Sequence, residues 1–347
     1  MLLIGSSTLF SCSNNEDELP PKEQEQTSQE TYTISFNLGG EYISTSETPL
    51  SRTEVTPKKI YGINVYYKKD GDTNYQNYAY GLFDNIEDMT ISLIGGYKYK
   101  FECSMVKNDV DTLYHKQYSY ADYYYAPFLT YRNNIGYSLN IELDNEFHIS
   151  TTDLTYIRGL GWGATNTTGQ TYNNKPNEYV DTYYPKTDRF YGELTDYIPT
   201  KDGVANIDLK RTAFGLKFIV TPPVDGKLYV AESDTKTSIQ VSANESTVEA
   251  SFMCTFYEVY RCWQAENYTK DFTIQLTWKR ANGATQTFEK IITTKRNVLT
   301  TVNVNVNGSS TDSSLGVKED DTPMGNENVD MNFNGGDLDD NDVNPNI

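Results

Sequence analysis

Leu299-Thr300-Thr301-Val302-Asn303-Val304-Asn305-Val306-Asn307 is the stretch that decides the fold. Val302, Val304 and Val306 alternate with Asn303, Asn305 and Asn307, so an extended chain here has one wholly apolar face and one polar face. That is a strand with one side in a core. Working back along the second half, the same signal predicts strands over 287–293, 272–279, 248–257, 238–241, 227–230, 214–221 and 205–209. In the first half, Tyr32, Ile34, Phe36 and Leu38 alternate with Thr33, Ser35 and Asn37 and stop at Gly39-Gly40. Further strands are expected over 60–67, 75–83, 89–93, 97–106 and 135–143. Lys69-Asp70-Gly71-Asp72 and Gly95-Gly96 supply turns between them. Short strands at this spacing, rich in β-branched and aromatic residues, predict an all-β chain built as sandwiches or barrels.

At 347 residues the chain is long enough for two domains of ordinary size. They are expected at 31–149 and 192–307, joined by an irregular crossover at 150–191 that is rich in Asn, Thr, Gly and Tyr. Residues 13–30 are nearly all polar, include Pro20-Pro21, and read as a disordered spacer. Residues 308–347 form an acidic tail with a single Lys318. Within it, at 328–334, Val329, Met331 and Phe333 alternate with Asp330, Asn332 and Asn334, a strand-capable island.

Forty-eight acidic against 29 basic residues, a net charge of −19, argue against a nucleic-acid partner, because phosphate backbones are bound by Lys and Arg. No run of about twenty apolar residues is available to cross a membrane. With only His115 and His148, a histidine-rich metal site cannot be built, and neither metal nor cofactor is expected. No nucleophile and base stand at a telling spacing, and no pair of carboxylates is singled out for glycoside hydrolysis, so no enzymatic activity is expected. Gly159-Leu160-Gly161-Trp162-Gly163 lacks the Lys and the helix pattern of a phosphate cradle and reads as a flexible corner. Asp337-Leu338-Asp339-Asp340-Asn341-Asp342 lacks the glycine and distal Glu of a calcium loop. Cys103 and Cys254 read as buried small apolar residues, with a Cys254–Cys262 bridge as the alternative if a hairpin sets them opposite.

Leu9-Phe10-Ser11-Cys12 closes a short apolar stretch and is followed by Ser13-Asn14-Asn15-Glu16-Asp17-Glu18. The first segment resembles a lipobox, with 1–12 as signal peptide and Cys12 as the acylated mature N-terminus; the acidic run resembles the surface-export signal of Bacteroidetes lipoproteins. The expected address is the outer membrane at the cell surface, with lipid the only membrane contact. Tyr118, Tyr120, Tyr123, Tyr124 and Tyr125, with Phe128 and Tyr131, form an aromatic cluster open to three readings: stacking on a glycan, contact with a protein, or packing over the fold.

Lys210-Arg211-Thr212-Ala213-Phe214-Gly215-Leu216-Lys217-Phe218 and Lys295-Arg296-Asn297-Val298-Leu299-Thr300-Thr301-Val302-Asn303-Val304 resemble the start and end of the C-terminal domain of the fimbrillin family of Bacteroidetes, pilin subunits and their lipoprotein relatives. Tyr61-Gly62-Ile63-Asn64-Val65-Tyr66 and Pro49-Leu50-Ser51-Arg52 resemble its N-terminal domain. The resemblance covers roughly residues 30 to 307. It implies two tandem transthyretin-like Greek-key β-sandwiches, and partners that are other pilin subunits or surface proteins. It also implies assembly by strand addition. Proteolysis after an Arg removes a first strand, and a strand of the neighbouring subunit fills the open groove. Arg52 is the candidate cleavage site, or simply a loop arginine. Val329, Met331 and Phe333 are the candidate donor pegs, unless that segment closes its own sandwich or never orders. The acidic extension departs from a shaft subunit and fits a tip, anchor or non-polymerising relative. The rival reading is a glycan-binding surface lipoprotein of a polysaccharide-uptake system.

Overall fold

A computed structural model describes residues 29–41, 59–107, 114–117, 122–128, 138–140, 143–152, 155–163, 165–166, 182–232, 234–235, 237–306 and 318–323. The first half supplies β1 (Thr31–Gly40), β2 (Lys59–Lys69), β3 (Gln76–Phe83), β4 (Thr90–Ile94), β5 (Tyr97–Lys107), β6 (Tyr114–Gln117), β7 (Asp122–Ala126), β8 (Ser138–Asn140) and β9 (Phe147–Ile149). Next come the two-residue strands β10 (Tyr156–Ile157), β11 (Thr165–Asn166) and β12 (Thr182–Tyr183). The second half supplies β13 (Asp188–Tyr197), β14 (Val204–Arg211), β15 (Ala213–Val220), β16 (Lys227–Glu232), β17 (Thr237–Ser242), β18 (Val248–Thr255), helix α1 (Val259–Gln264), β19 (Thr269–Lys279), β20 (Thr285–Lys295), β21 (Val298–Val304) and β22 (Lys318–Pro323). The chain is all-β, as its period-two pattern predicts.

Eight strands form the first sheet in the order β4-β1-β14-β13-β5-β2-β3-β9. It bends around one core, in which Ile34, Phe36 and Leu38 of β1 join Ile63 of β2, Phe101 of β5 and Phe190 of β13. Phe36 and Phe101 meet edge to face at 5.1 Å. A second cluster lies on the other face: Ile60, Val106 and Tyr191 are covered by Phe128, Ile157 and Val259. Two four-stranded sheets, β18-β15-β21-β22 and β17-β16-β19-β20, sandwich a third core that includes Phe214, Phe218, Leu276, Trp278 and Val302.

Several expectations change. Asp188–Tyr197 is a strand that begins inside the expected crossover and runs on into the expected C-terminal sandwich, and with Val204–Arg211 it pairs into the first sheet, not the second. The first five residues of β13 are all buried, so no alternation marked it. The tail contributes β22, antiparallel to β21; the expected strand at 328–334 lies outside the described residues. Of the strand expected over 135–143, Ser138–Asn140 is strand β8, and Leu143, the other described residue of that stretch, is in no strand. Cys103, Cys254 and Cys262 are all buried and free; Cys254 is on β18 and Cys262 on α1, not on opposed strands of a hairpin. Among the described residues no helix is long and apolar enough to cross a membrane, and no group of three or more His, Cys, Asp or Glu is placed to hold a metal.

Candidate functional site

β1 sits in the middle of a groove rather than at a sheet edge. It pairs antiparallel with β4, where Ile34 faces Ile91, and parallel with β14, where Phe36 faces Ala205 and Leu38 faces Ile207. Its alternate residues Ile34, Phe36 and Leu38 are buried pegs. On the opposite face Asn37 Nδ2 donates to Asn206 Oδ1 of β14 at 2.9 Å. Burying three such side chains contributes roughly 1.5–3 kcal/mol each. The backbone donors and acceptors of β4 and β14 that face β1 are satisfied only while a strand lies between them.

Gly40 ends this strand at φ +75°, where a Cβ would stand 2.9 Å from the carbonyl oxygen of Leu209. Only glycine fits such a turn without strain. The turn brings Glu41 against Arg211 and Arg296, beside the two four-stranded sheets. Nη1 of Arg296 donates to both Glu41 oxygens, at 2.9 and 2.8 Å, and also to the Arg211 carbonyl at 3.1 Å. The Arg211 amide donates to Glu41 Oε2 at 2.8 Å. Arg211 in turn grips Asp188 through Nε and Nη2, both at 2.7 Å, in a fully buried fork-to-fork pair. Arg296 is buried too, and its Nε has no hydrogen-bond partner. A carboxylate at the Glu41 position therefore neutralises a cation that is mostly withdrawn from water.

A third feature organises the corner at 159–163. Arg189, 1 % exposed, gives Nε to Ser104 Oγ, Nη1 to the carbonyls of Phe128 and Trp162, and Nη2 to those of Gly159 and Leu160, all between 2.7 and 3.0 Å. Desolvation lowers this guanidinium to about 9, still charged at neutral pH. The glycine-rich corner expected to be flexible is thus tied down at three of its own carbonyls, those of Gly159, Leu160 and Trp162. Beside it opens a cleft of about 400 Å³ lined by Asn64, Glu102, Trp162 and Tyr257, among others. Glu102 accepts from the hydroxyls of Tyr66 and Tyr191, both at 2.8 Å, and Trp162 stands half exposed with its ring 5.4 Å from that of Tyr257.

Cys12, Arg52, Tyr118, Tyr120, Val329, Met331 and Phe333 lie outside the described residues. Tyr123, Tyr124 and Tyr125 fall on β7, with Tyr123 opposite Lys116 of β6 and Tyr156 of β10. Phe128 of the same aromatic cluster is buried in the core under Arg189. Sequence reasoning passed over Glu41, Arg189 and Trp162. Glu41 follows a Gly-Gly pair that signals a chain reversal, whereas nothing in the sequence marks Arg189 as buried.

These features define a class: an all-β sandwich protein with a buried first strand latched by charge to the following sandwich. No family model matches the chain, and no curated protein sequence matches it. Solved structures similar to it include the tip fimbrial protein Mfa3 from Porphyromonas gingivalis with C-terminal truncation, at 9% identity and TM-score 0.32, covering 85% of this chain and 100% of that one. The fimbrial anchor protein Mfa2 from the same organism matches at 10% identity and TM-score 0.31, covering 84% of this chain and 98% of that one. A fimbrial assembly protein from Parabacteroides distasonis matches at 11% identity and TM-score 0.30, covering 85% and 96%.

Proposed function

We propose that this chain is a structural, non-enzymatic subunit of a surface fimbria or adhesive assembly, delivered to the outer membrane as a lipoprotein through Cys12 and joined to its neighbours by strand addition. The observation that carries it is β1: a strand near the N-terminus, inserted between β4 and β14, with three buried pegs. Cleavage after Arg52 would cut its covalent link to the rest of the chain, so that another strand of the same pattern can exchange with it in the groove. The role of Arg52, and that of the segment bearing Val329, Met331 and Phe333, belong to this proposal.

The test is the N-terminal sequence of the protein recovered from native cell surfaces. A chain beginning at Thr53 is the expected result for an assembled subunit, and an acylated Cys12 for one held at the membrane. A chain retaining residues 1–11 would contradict both.

A further inference from the structure

The contacts that β1 makes are written a second time in the tail. β1 runs Ile34-Ser35-Phe36-Asn37-Leu38-Gly39-Gly40-Glu41, and the tail reads Val329-Asp330-Met331-Asn332-Phe333-Asn334-Gly335-Gly336-Asp337. Both run apolar, polar, apolar, asparagine, apolar, then a glycine pair and an acid, with Asn334 as one extra residue. Each match falls on a contact described above. The apolar residues correspond to the three pegs, and Asn332 to Asn37, which bonds Asn206. Gly336 corresponds to Gly40, where positive φ and the nearby Leu209 carbonyl demand glycine. Asp337 corresponds to Glu41 when Asn334 is bulged out of the strand, since one added residue otherwise advances the chain about 3.3 Å and turns the next side chain to the opposite face.

We infer that the Arg296 guanidinium and the Arg211 amide form a carboxylate-binding site that takes Asp337 from a second copy of this chain, fixing its tail in the groove in the polarity and register of β1. The inference rests on the strand-addition proposal and adds to it a polar lock at one end. That lock accounts for Arg296, a buried cation whose nearer carboxylate partner, Glu41, leaves if β1 is removed, with the exposed Glu266 remaining at 3.6 Å from Nη2. Two alternate-residue patterns could otherwise slide against each other by two residues at little cost. A charged contact after a glycine turn selects one register.

Reach favours a neighbour over the chain's own tail. Pro323 pairs with Val298, two residues from Arg296, so the tail leaves β22 at the lock end of the groove. Six residues from there to Val329 extend about 22 Å at most. Ile34 lies seven residues, about 23 Å, along β1 from Glu41. A chain's own tail would have to travel this whole length before entering in the direction of β1.

The experiment uses the full chain with a specific protease site placed after Arg52. Once nicked, the β1 fragment stays in place without a covalent link. Labelled peptides spanning residues 327–339 are titrated in, and fragment release and peptide binding are followed by anisotropy. The unaltered peptide should displace β1. Peptides with Asp337→Ala or Gly336→Ala should bind about ten-fold more weakly or worse. Because the changes are in the peptide, folding of the protein is not at issue. Equal binding by all three overturns the carboxylate lock and leaves strand addition standing. Displacement by none of them, while a peptide of residues 31–42 exchanges freely, overturns both.

Discussion

Arg189 shows how much one side chain can carry. All five of its N–H donors are used, and four go to carbonyls of segments with no regular structure of their own. Replacing it with Ala would orphan those carbonyls in a region closed to water, at about 1–3 kcal/mol for each that finds no other partner. Urea unfolding of Arg189→Ala should therefore show a loss of about 3 kcal/mol or more. Arg189→Lys should recover less than half, since an ammonium is a point donor and cannot span the planar fork. A loss below about 1 kcal/mol would mean the corner holds itself.

Among the elements, the β16–β19 pair has its own fastening. Asp225 accepts from Arg280 Nε and Nη2 and from the Ala281 amide, while its carbonyl accepts from Trp278 Nε1 at 2.7 Å and the Arg280 guanidinium stacks on the Trp278 ring at 4.0 Å. The Arg280 hydrogen bond, then the Ala281 amide, hold the Asp225 carboxyl below its ordinary range. An acid depressed in the folded state adds stability above its unfolded value, about 3.9, and loses it as pH falls through the folded value. Comparing Tm of the parent and Asp225→Asn in calorimetry, the gap should be full at pH 6 and shrink below about pH 4. A gap independent of pH would locate the effect in packing instead.

Such elements differ in how plainly the sequence announces them. β1 and β21 each bury one face, so their residues alternate and both were legible with bounds close to the observed ones. β13 was not. Its opening run Asp188-Arg189-Phe190-Tyr191-Gly192 is covered on both faces and holds two ion-forming groups, so it resembles a polar loop in sequence. The site divides in the same way. The pegs were visible as a pattern, but the Glu41–Arg296 contact joins residues 255 apart and only folding brings them together.

Over the whole molecule, the cores are bound by more than one link. Tyr191 of β13 packs against Trp263 of α1 at 5.6 Å, Val259 of α1 enters the cluster on the first sheet, and Arg296 holds Glu41. The two main cores should therefore open together. Cys103 lies in the first, and Cys254 and Cys262 in the second, all three deeply buried. In a Cys12→Ser chain, a thiol-reactive probe should label them at one common rate that tracks global unfolding. Separate rates for Cys103 and the other pair would show that the cores part independently.

Those same thiols have a practical corollary. Because none of the three is bridged, the architecture does not depend on an oxidising compartment. The polypeptide should reach its native form in the reducing cytosol of an expression host, and dithiothreitol should leave its melting curve unchanged.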